Sequence, residues 1–234
     1  MNKISTTFKI PGSVAGLLLL FSAMINAQDV PKEIADTFKI DAKGRQTGMS
    51  LDGQAVECGN AKWSVIQGTT AILTSKGTIS IQHWWDHSQA SVPVELPKQA
   101  VTLSADVRPF TCDWISIAFL EKSGSANWFS DENHIWIYLK SNGFAQLWRG
   151  KSAMVTVYGP TGFDPSVFHK LCLSYDPDSN AIAASLDGQS IIKPTDLGGF
   201  RPQIHAVGFR INRNPDGQQA GEPQIDNFKY QITQ

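Results

Sequence analysis

A β-hairpin between Asn133 and Gly150 is the feature of this sequence that most constrains its fold. Two runs of alternating apolar and polar residues meet at Ser141-Asn142-Gly143, a composition typical of a tight turn. A three-residue loop with a left-handed Gly143 sets Trp136 opposite Trp148, whereas a two-residue loop would mix apolar and polar residues on both faces. Because strand register normally keeps the two classes on separate faces, we predict the three-residue loop.

The predicted register gives the hairpin one apolar face and one aromatic face. The apolar face, expected in the core, consists of Ile135, Ile137, Leu139, Ala145 and Leu147. The opposite face, called the aromatic platform below, consists of Trp136, Tyr138, Gln146 and Trp148. Sugars stack their C–H faces on aromatic rings and hydrogen bond to planar amides, so the platform is a candidate carbohydrate-binding surface. The alternative is that a loop covers these rings and makes them a second small core.

The N-terminus has the pattern of a secretory signal peptide. Lys3 and Lys9 precede an apolar run from Val14 to Met24, and a small residue, Ala27, precedes the expected cleavage point. The apolar run is shorter than the ~20 residues needed to span a membrane. We predict a signal peptide over residues 1–27, a single mature domain over residues 28–234, and an exported protein, periplasmic or secreted, without membrane insertion.

Charge and cysteine content narrow the possible partners further. The net charge is −1 and no block of like charge occurs, which argues against a nucleic-acid partner. Three cysteines, Cys58, Cys112 and Cys172, are an odd number for an oxidising compartment. We expect one disulfide and one buried free thiol, and the sequence leaves open which two residues pair.

The rest of the chain is a succession of short strands. Alternation is clearest from Ala100 to Arg108 and recurs from Trp114 to Glu121, from Ile204 to Asn212 and from Ile225 to Ile232. Glycine, proline and polar residues separate these runs, and no amphipathic helix of ten residues is evident. This pattern predicts one all-β, antiparallel two-sheet sandwich.

Two parts of the sequence resemble the concanavalin A-like lectin/glucanase superfamily, and laminin-G-like domains in particular. The stretch from Leu171 to Gly188 is similar to its strand–turn–strand unit, and Leu51-Asp52-Gly53 and the segment Pro223 to Phe228 are similar to bacterial members. The resemblance implies a jelly-roll sandwich whose concave face commonly holds carbohydrate, but a fold does not fix a function.

Enzymes of that superfamily carry motifs that this sequence lacks. The Glu-x-Asp-x-x-Glu strand of laminarinase-like glycosidases does not occur. Gln203-Ile204-His205 matches a tripeptide of alginate-lyase-like jelly rolls, but no Tyr-x-Lys strand follows it. We therefore assign no catalytic residue, and an enzyme would more plausibly be a polysaccharide lyase than a hydrolase.

Several residues outside the hairpin are further candidates. Trp84 and Trp85 could contact a sugar at the edge of the groove, and the neighbouring His83, Asp86 and His87 could bind a metal. Arg108 could neutralise an acidic sugar, with Asp106 or Glu121 as acid or base, although an exposed ion pair is the simpler interpretation. Arg210 and Asn212, on a late strand, could likewise contact a ligand or could simply form exposed polar contacts.

A structural calcium ion is a further expectation. Asp226 resembles the position at which several jelly-roll domains tie their last strand to Ca²⁺, and Asp36 or Glu57 could contribute oxygens from the start of the chain. A hydrogen-bonded aspartate without a metal is the alternative.

These features together predict a secreted, lectin-like protein that holds a polysaccharide or oligosaccharide on an aromatic sheet face. A polysaccharide lyase is the first alternative, and a protein-binding adhesion module is the second, because some laminin-G-like domains bind proteins. The adhesion module would present a broad, flat apolar patch rather than a groove.

Overall fold

A computed structural model describes residues 33–66, 69–82, 87–124, 133–212 and 222–233, and these residues form an antiparallel β-sandwich. Their only helical segment is a 3-10 turn at Ala42–Gly44. The all-β jelly-roll prediction is therefore confirmed. The predicted signal peptide lies outside the described residues, and no helix within them is long and apolar enough to cross a membrane.

One sheet has eight strands in the order β13-β12-β11-β6-β15-β4-β3, and β1 also pairs with β15. Its strands are β1 (Ile34–Asp36), β3 (Ile72–Leu73), β4 (Ile79–Ser80), β6 (Val101–Arg108), β11 (His169–Asp176), β12 (Ala181–Leu186), β13 (Gln189–Asp196) and β15 (Gln224–Ile232). β15 is central because β6 pairs along one edge while β4 and β1 share the other.

The other sheet has seven strands in the order β10-β9-β8-β7-β14-β5-β2. Its strands are β2 (Ser64–Val65), β5 (Ser88–Pro93), β7 (Ile115–Leu120), β8 (Ile135–Leu139), β9 (Ala145–Arg149), β10 (Ser152–Val157) and β14 (Ala206–Ile211). β7 to β10 follow one another as a meander, whereas β14 returns from the far end of the chain to lie between β7 and β5.

The main core fills the space between the two sheets. Alternate side chains of each strand point inward, and an aromatic group of Phe38, Trp63, Phe209 and Phe228 lies within it at ring-centroid distances of 5.1 to 6.3 Å. The side chains at the alternate positions therefore point to the two outer faces of the sandwich.

The hairpin has the predicted three-residue turn. Gly143 has a φ of 80°, its N–H donates to the carbonyl of Lys140 at 3.0 Å, and the Lys140 N–H donates to the carbonyl of Phe144 at 2.8 Å. Trp136 lies directly opposite Trp148. The register prediction is therefore confirmed. Glycine is suited to position 143 because it adopts a left-handed backbone conformation at little cost in energy.

The expectation of a disulfide is wrong, because all three cysteines are free thiols. Cys112 lies in the main core, Cys172 points to the outer face of the eight-stranded sheet, and Cys58 is exposed. The three thiols thus occupy separate environments. Burial raises the pKa of Cys112, so this thiol stays protonated and inert.

A buried ion pair anchors the first strand. Both guanidinium NH groups of Arg45 donate to the carboxylate of Asp36 at 2.6 Å, and neither side chain is exposed to solvent. The indole of Trp63 donates to the same carboxylate at 2.7 Å, and the backbone N–H of Phe38 does so at 2.9 Å. Asp36 thus accepts four hydrogen bonds and is fully satisfied.

Candidate functional site

The aromatic platform lies on the outer face of the seven-stranded sheet. Trp136 stacks on Trp148 with ring centroids 5.4 Å apart and an interplanar angle of 21°. Tyr138 lies 5.7 Å from Trp136, and Trp114, at the start of β7, lies 5.6 Å from Trp136 and 5.8 Å from Tyr138. Trp114 packs with the platform and not in the main core.

The platform is only partly accessible to solvent. Trp136 is 2% exposed and Tyr138 is 8% exposed, and both pack with Ala118, Leu120 and Ala206 in an apolar cluster separate from the main core. Trp148 and Gln146 remain partly exposed. Trp136 and Tyr138 therefore belong to a second small core, which was the alternative to a binding surface. The solvent-accessible part of the platform is smaller than the sequence pattern predicted.

The side-chain amide of Gln146 connects the residues at the solvent-accessible edge of the platform by hydrogen bonds. The Oε1 atom of Gln146 accepts the hydroxyl of Tyr138 at 2.6 Å and the indole N–H of Trp148 at 2.9 Å. Its Nε2 donates to the hydroxyl oxygen of Thr156 at 2.7 Å. Gln146 therefore joins three strands and fixes the orientation of the Trp148 ring.

Thr156 reaches this network because β10 contains a β-bulge. Ala153 is opposite Trp148 and Val155 is opposite Leu147, so one extra residue is inserted between them. The insertion places Thr156 opposite Gln146 on the outer face, whereas uninterrupted pairing would have turned it inward. Sequence alternation alone therefore could not identify Thr156.

Arg210 extends the polar side of the platform across the sheet. It lies opposite Gln89 on β5 and Ser116 on β7, and Ser116 in turn lies opposite Tyr138. Arg210 donates to Oε1 of Gln89 at 3.2 Å, and its guanidinium lies 5.3 Å from the centroid of the Trp114 ring. Burial lowers the pKa of Arg210 to about 10, so the side chain remains a cation at neutral pH.

A polar rim and two further aromatic rings border the same end of the platform. The carboxylate of Asp113 contacts Nζ of Lys140 at 3.3 Å and accepts a hydrogen bond from Asn212 at 3.1 Å. Phe144 stacks on Tyr138, and the ring of Tyr158, which is 83% exposed, meets Phe144 edge-on at 5.4 Å. Phe144 could have been found in the sequence, since it shares the outward parity of Gln146 and Trp148.

The chemistry of Tyr138 suits holding a ligand more than abstracting a proton. Burial raises the pKa of Tyr138, and the hydroxyl donates its hydrogen to Gln146. A protonated phenol that is already a donor is a poor general base at neutral pH.

Arg108 does not lie on the platform. It belongs to β6 of the eight-stranded sheet, and its side chain leaves the core on the opposite side of the sandwich from Trp148. Its guanidinium lies 4.5 Å from the ring centroid of Phe110 and 5.2 Å from that of Phe168, and burial lowers its pKa while Glu222 opposes this shift. Local alternation predicted that Arg108 points outward but not which sheet it belongs to.

The other predicted acids also lie away from the platform centre. Asp106 accepts a hydrogen bond from Asn227 at 2.7 Å, on the outer face of the eight-stranded sheet, and Glu121 accepts one from Asn133 at 3.1 Å. Trp84 and Trp85, with His83 and Asp86, lie outside the described residues.

The residues expected to hold calcium are engaged in other contacts. Asp226 lies opposite Asp106, and burial, with the nearby carboxylates of Asp106, Glu57 and Asp36, raises the pKa of Asp226 to about 6. Asp36 and Glu57 both accept hydrogen bonds from Arg45, so a cation would have to displace this guanidinium. Among the described residues, no group of three His, Cys, Asp or Glu side chains is arranged to hold a metal ion. The donor set does not fit calcium well, and the metal stays a prediction.

Solved structures with a similar fold include lectin domains, although their sequences are very different from this one. The carbohydrate-recognition domain of Emp47p has a TM-score of 0.52 at 15% identity, with 89% of this chain and 99% of that chain covered. Lectin II from Ulex europaeus gives 0.53 at 12% identity, with 88% and 100% covered. A Bacillus subtilis protein of unknown function with a galectin-like fold gives 0.53 at 13% identity, with 73% and 89% covered.

These similarities show a concanavalin A-like jelly-roll fold, and the laminin-G-like subtype stays a prediction. No protein-family model matches the sequence. No curated protein matches it either.

Proposed function

We propose that this protein is a lectin-like module that binds a polysaccharide or oligosaccharide on the aromatic platform. The observation that carries the proposal is the arrangement of Trp148, a partly exposed indole stacked on Trp136 and tied by its N–H to Gln146. A ring held in one orientation offers its face to a sugar without losing conformational entropy on binding.

The fold is consistent with this role. The Emp47p domain is a carbohydrate recognition domain, and the Ulex europaeus lectin was also solved as a complex with galactose. The signal-peptide pattern of residues 1–27 adds that binding takes place outside the cytoplasm, in the periplasm or after secretion.

The polar groups around the platform favour carbohydrate over a protein partner. Gln146, Thr156, Lys140 and Asn212 interrupt the aromatic rings with amide, hydroxyl and ammonium groups. A protein-binding adhesion surface would be broader and more continuously apolar at its centre.

Affinity electrophoresis through gels containing soluble polysaccharides, together with a glycan array, tests the proposal. Trp148→Ala should weaken binding by about tenfold or more, because a central aromatic anchor is lost. Trp148 is partly exposed, so this variant should still fold, and far-ultraviolet circular dichroism would verify that.

Phe168→Ala is the matched control. Phe168 is an exposed aromatic residue near Arg108, away from the platform, so its loss should leave binding unchanged. Equal affinities for wild type and Trp148→Ala would contradict the assigned site. A bound polysaccharide that is cleaved to unsaturated products, detected by ultraviolet absorbance, would favour a lyase instead.

A further inference from the structure

We infer that the ligand of the platform is an acidic polysaccharide, and that Gln146 and Thr156 bind the carboxylate of one of its uronate units. The inference rests on the proposed carbohydrate-binding function and adds the chemical class of the ligand. It follows from the directions of the hydrogen bonds around a single amide.

The hydrogen bonds around Gln146 fix the orientation of its amide. An indole N–H can only donate, so the atom 2.9 Å from Nε1 of Trp148 must be the carbonyl oxygen of the amide. The hydroxyl of Tyr138 donates to the same oxygen at 2.6 Å. Both acceptor positions of Oε1 are thus occupied, and the NH₂ group is turned toward Thr156 on the edge strand.

Gln146 and Thr156 each keep one hydrogen for a ligand. Nε2 of Gln146 has two hydrogens and gives one of them to the oxygen of Thr156 at 2.7 Å. Because the Thr156 oxygen accepts this bond, its own hydrogen is directed elsewhere, and Thr156 is exposed on β10. The accessible edge beside Trp148 therefore presents two neighbouring donors, one N–H and one O–H.

Two adjacent donors are suited to a ligand group with two adjacent acceptors. The donor atoms are 2.7 Å apart, and a carboxylate presents two oxygens side by side, each able to accept from one of them. Two vicinal sugar hydroxyls also offer a pair of oxygens, but they are neutral, whereas a carboxylate carries a negative charge. Charge-assisted hydrogen bonds are also about twice as strong as neutral ones.

The charges on this face agree with an anionic chain. Arg210 lies in the same cross-strand row as Gln146, three strands away, which corresponds to ~14 Å. Lys140 lies next to Tyr138 in the outward pattern of β8, partly neutralised by Asp113. Arg210 and Lys140 lie at different points of this face, and two separated cations match a polymer with repeated acidic units better than a single terminal sugar.

Calorimetric titration with defined polymers tests the inference. The probes are polygalacturonate and alginate, each compared with its carboxyl-reduced derivative, and dextran sulfate as an anion without carboxylates. We expect at least one uronate polymer to bind about tenfold more tightly than its reduced derivative, and dextran sulfate to bind more weakly than that polymer.

The variants test the assigned atoms. Gln146→Glu keeps an acceptor for Tyr138 and Trp148 but replaces the outward donor by a negative charge, so the preference for uronate over the reduced polymer should fall about tenfold. Thr156→Val, an isosteric change at an exposed position, should reduce the preference by a smaller factor. Gln189→Glu on β13 introduces the same charge at an exposed position of the other sheet and should leave the preference intact.

The outcomes separate the two proposals. Equal binding of the uronate and reduced polymers would overturn the acidic-ligand inference and leave carbohydrate binding standing. Stronger binding of dextran sulfate would replace carboxylate recognition by general attraction of anions. Binding of none of these polymers, nor of any neutral glycan on an array, would overturn the proposed function itself.

Discussion

Two tryptophan-centred hydrogen-bond networks among the described residues, at Trp63 and at Trp148, have similar groups but different roles. At β1, the indole of Trp63 donates to the carboxylate of Asp36, which Arg45 also binds, and the whole group is closed to solvent. On the platform, the indole of Trp148 donates to the amide of Gln146, which remains partly exposed.

The difference lies in which atoms are left for a partner. Asp36 accepts four hydrogen bonds from within the chain and has no capacity for a ligand. Gln146 has its oxygen saturated but retains an N–H at the surface. The residue types of the two networks are similar and do not show which one could bind a ligand. The number of donors and acceptors left without a protein partner distinguishes the structural network from the candidate binding network.

The largest effect should come from breaking the first network. Arg45→Met leaves the buried carboxylate of Asp36 without its cation, and we expect a loss of about 3–5 kcal/mol in the free energy of unfolding. Urea denaturation measures the change. The double variant Arg45→Met/Asp36→Leu removes both charges but leaves the indole N–H of Trp63 and the backbone N–H of Phe38 without their acceptor, so it should recover only part of the loss. A double variant as unstable as Arg45→Met would contradict the explanation.

The same test on the platform should give a smaller effect that depends on the substitution. Gln146→Leu removes the acceptor of the Tyr138 and Trp148 donors, and we expect a loss of about 1–3 kcal/mol in unfolding free energy. Gln146→Glu retains an acceptor oxygen and should cost less than about 1 kcal/mol. Equal losses in the two variants, measured by urea denaturation, would mean that the accepted hydrogen bonds do not hold the platform.

Sequence patterns predicted contacts between neighbouring segments of this protein but not contacts between distant ones. The hairpin register followed from Gly143 and the local alternation of Trp136 and Trp148, because both depend on neighbours in the chain. The sheet to which Arg108 belongs depends on pairing between β6, β11 and β15, which are far apart in sequence. Alternation fixes only whether a side chain points in or out.

Two further contacts could not be predicted from the sequence, one in the candidate site and one in the interior. Thr156 joins Gln146 only because of the bulge in β10, which reverses the parity of the residues after it. The buried pair of Asp36 and Arg45 joins two polar segments that carry no pattern linking them. A short turn is encoded locally, whereas these contacts are set by the packing of the whole sandwich.

Asp226, which lies near the carboxylates of Asp106, Glu57 and Asp36, should make the stability of the fold depend on pH. Burial and the nearby acids raise the pKa of Asp226 to about 6, so the folded protein holds this proton more tightly than the unfolded chain. Stability should therefore fall as the pH rises from about 4 to about 6, by about 1 kcal/mol after allowance for solvent screening.

Asp226→Asn should remove this slope and raise the stability at neutral pH, as measured by denaturation at several pH values. Asp176→Asn is the control of opposite sign. Hydrogen bonds from Ser179 and Asp178 lower the pKa of Asp176, so its replacement should reduce stability at neutral pH. A pH slope that persists in Asp226→Asn would assign the effect to another group.

The smallest effect on stability should come from a solvent-exposed ion pair beside the strands β1 and β15. Lys229 on β15 approaches Glu33 at 3.5 Å, and both side chains are about half exposed. Glu33→Gln should change the unfolding free energy by less than about 0.5 kcal/mol, and 1 M salt should abolish the difference, because water already stabilises both charges. A loss as large as that of Arg45→Met would show that the carboxylate itself, rather than its removal from solvent, determines stability here. The contrast between the network at Trp63 and the one at Trp148 depends on this effect of burial. The buried polar atoms at Trp63 stabilise the fold, whereas the partly exposed atoms at Trp148 remain able to bind a ligand.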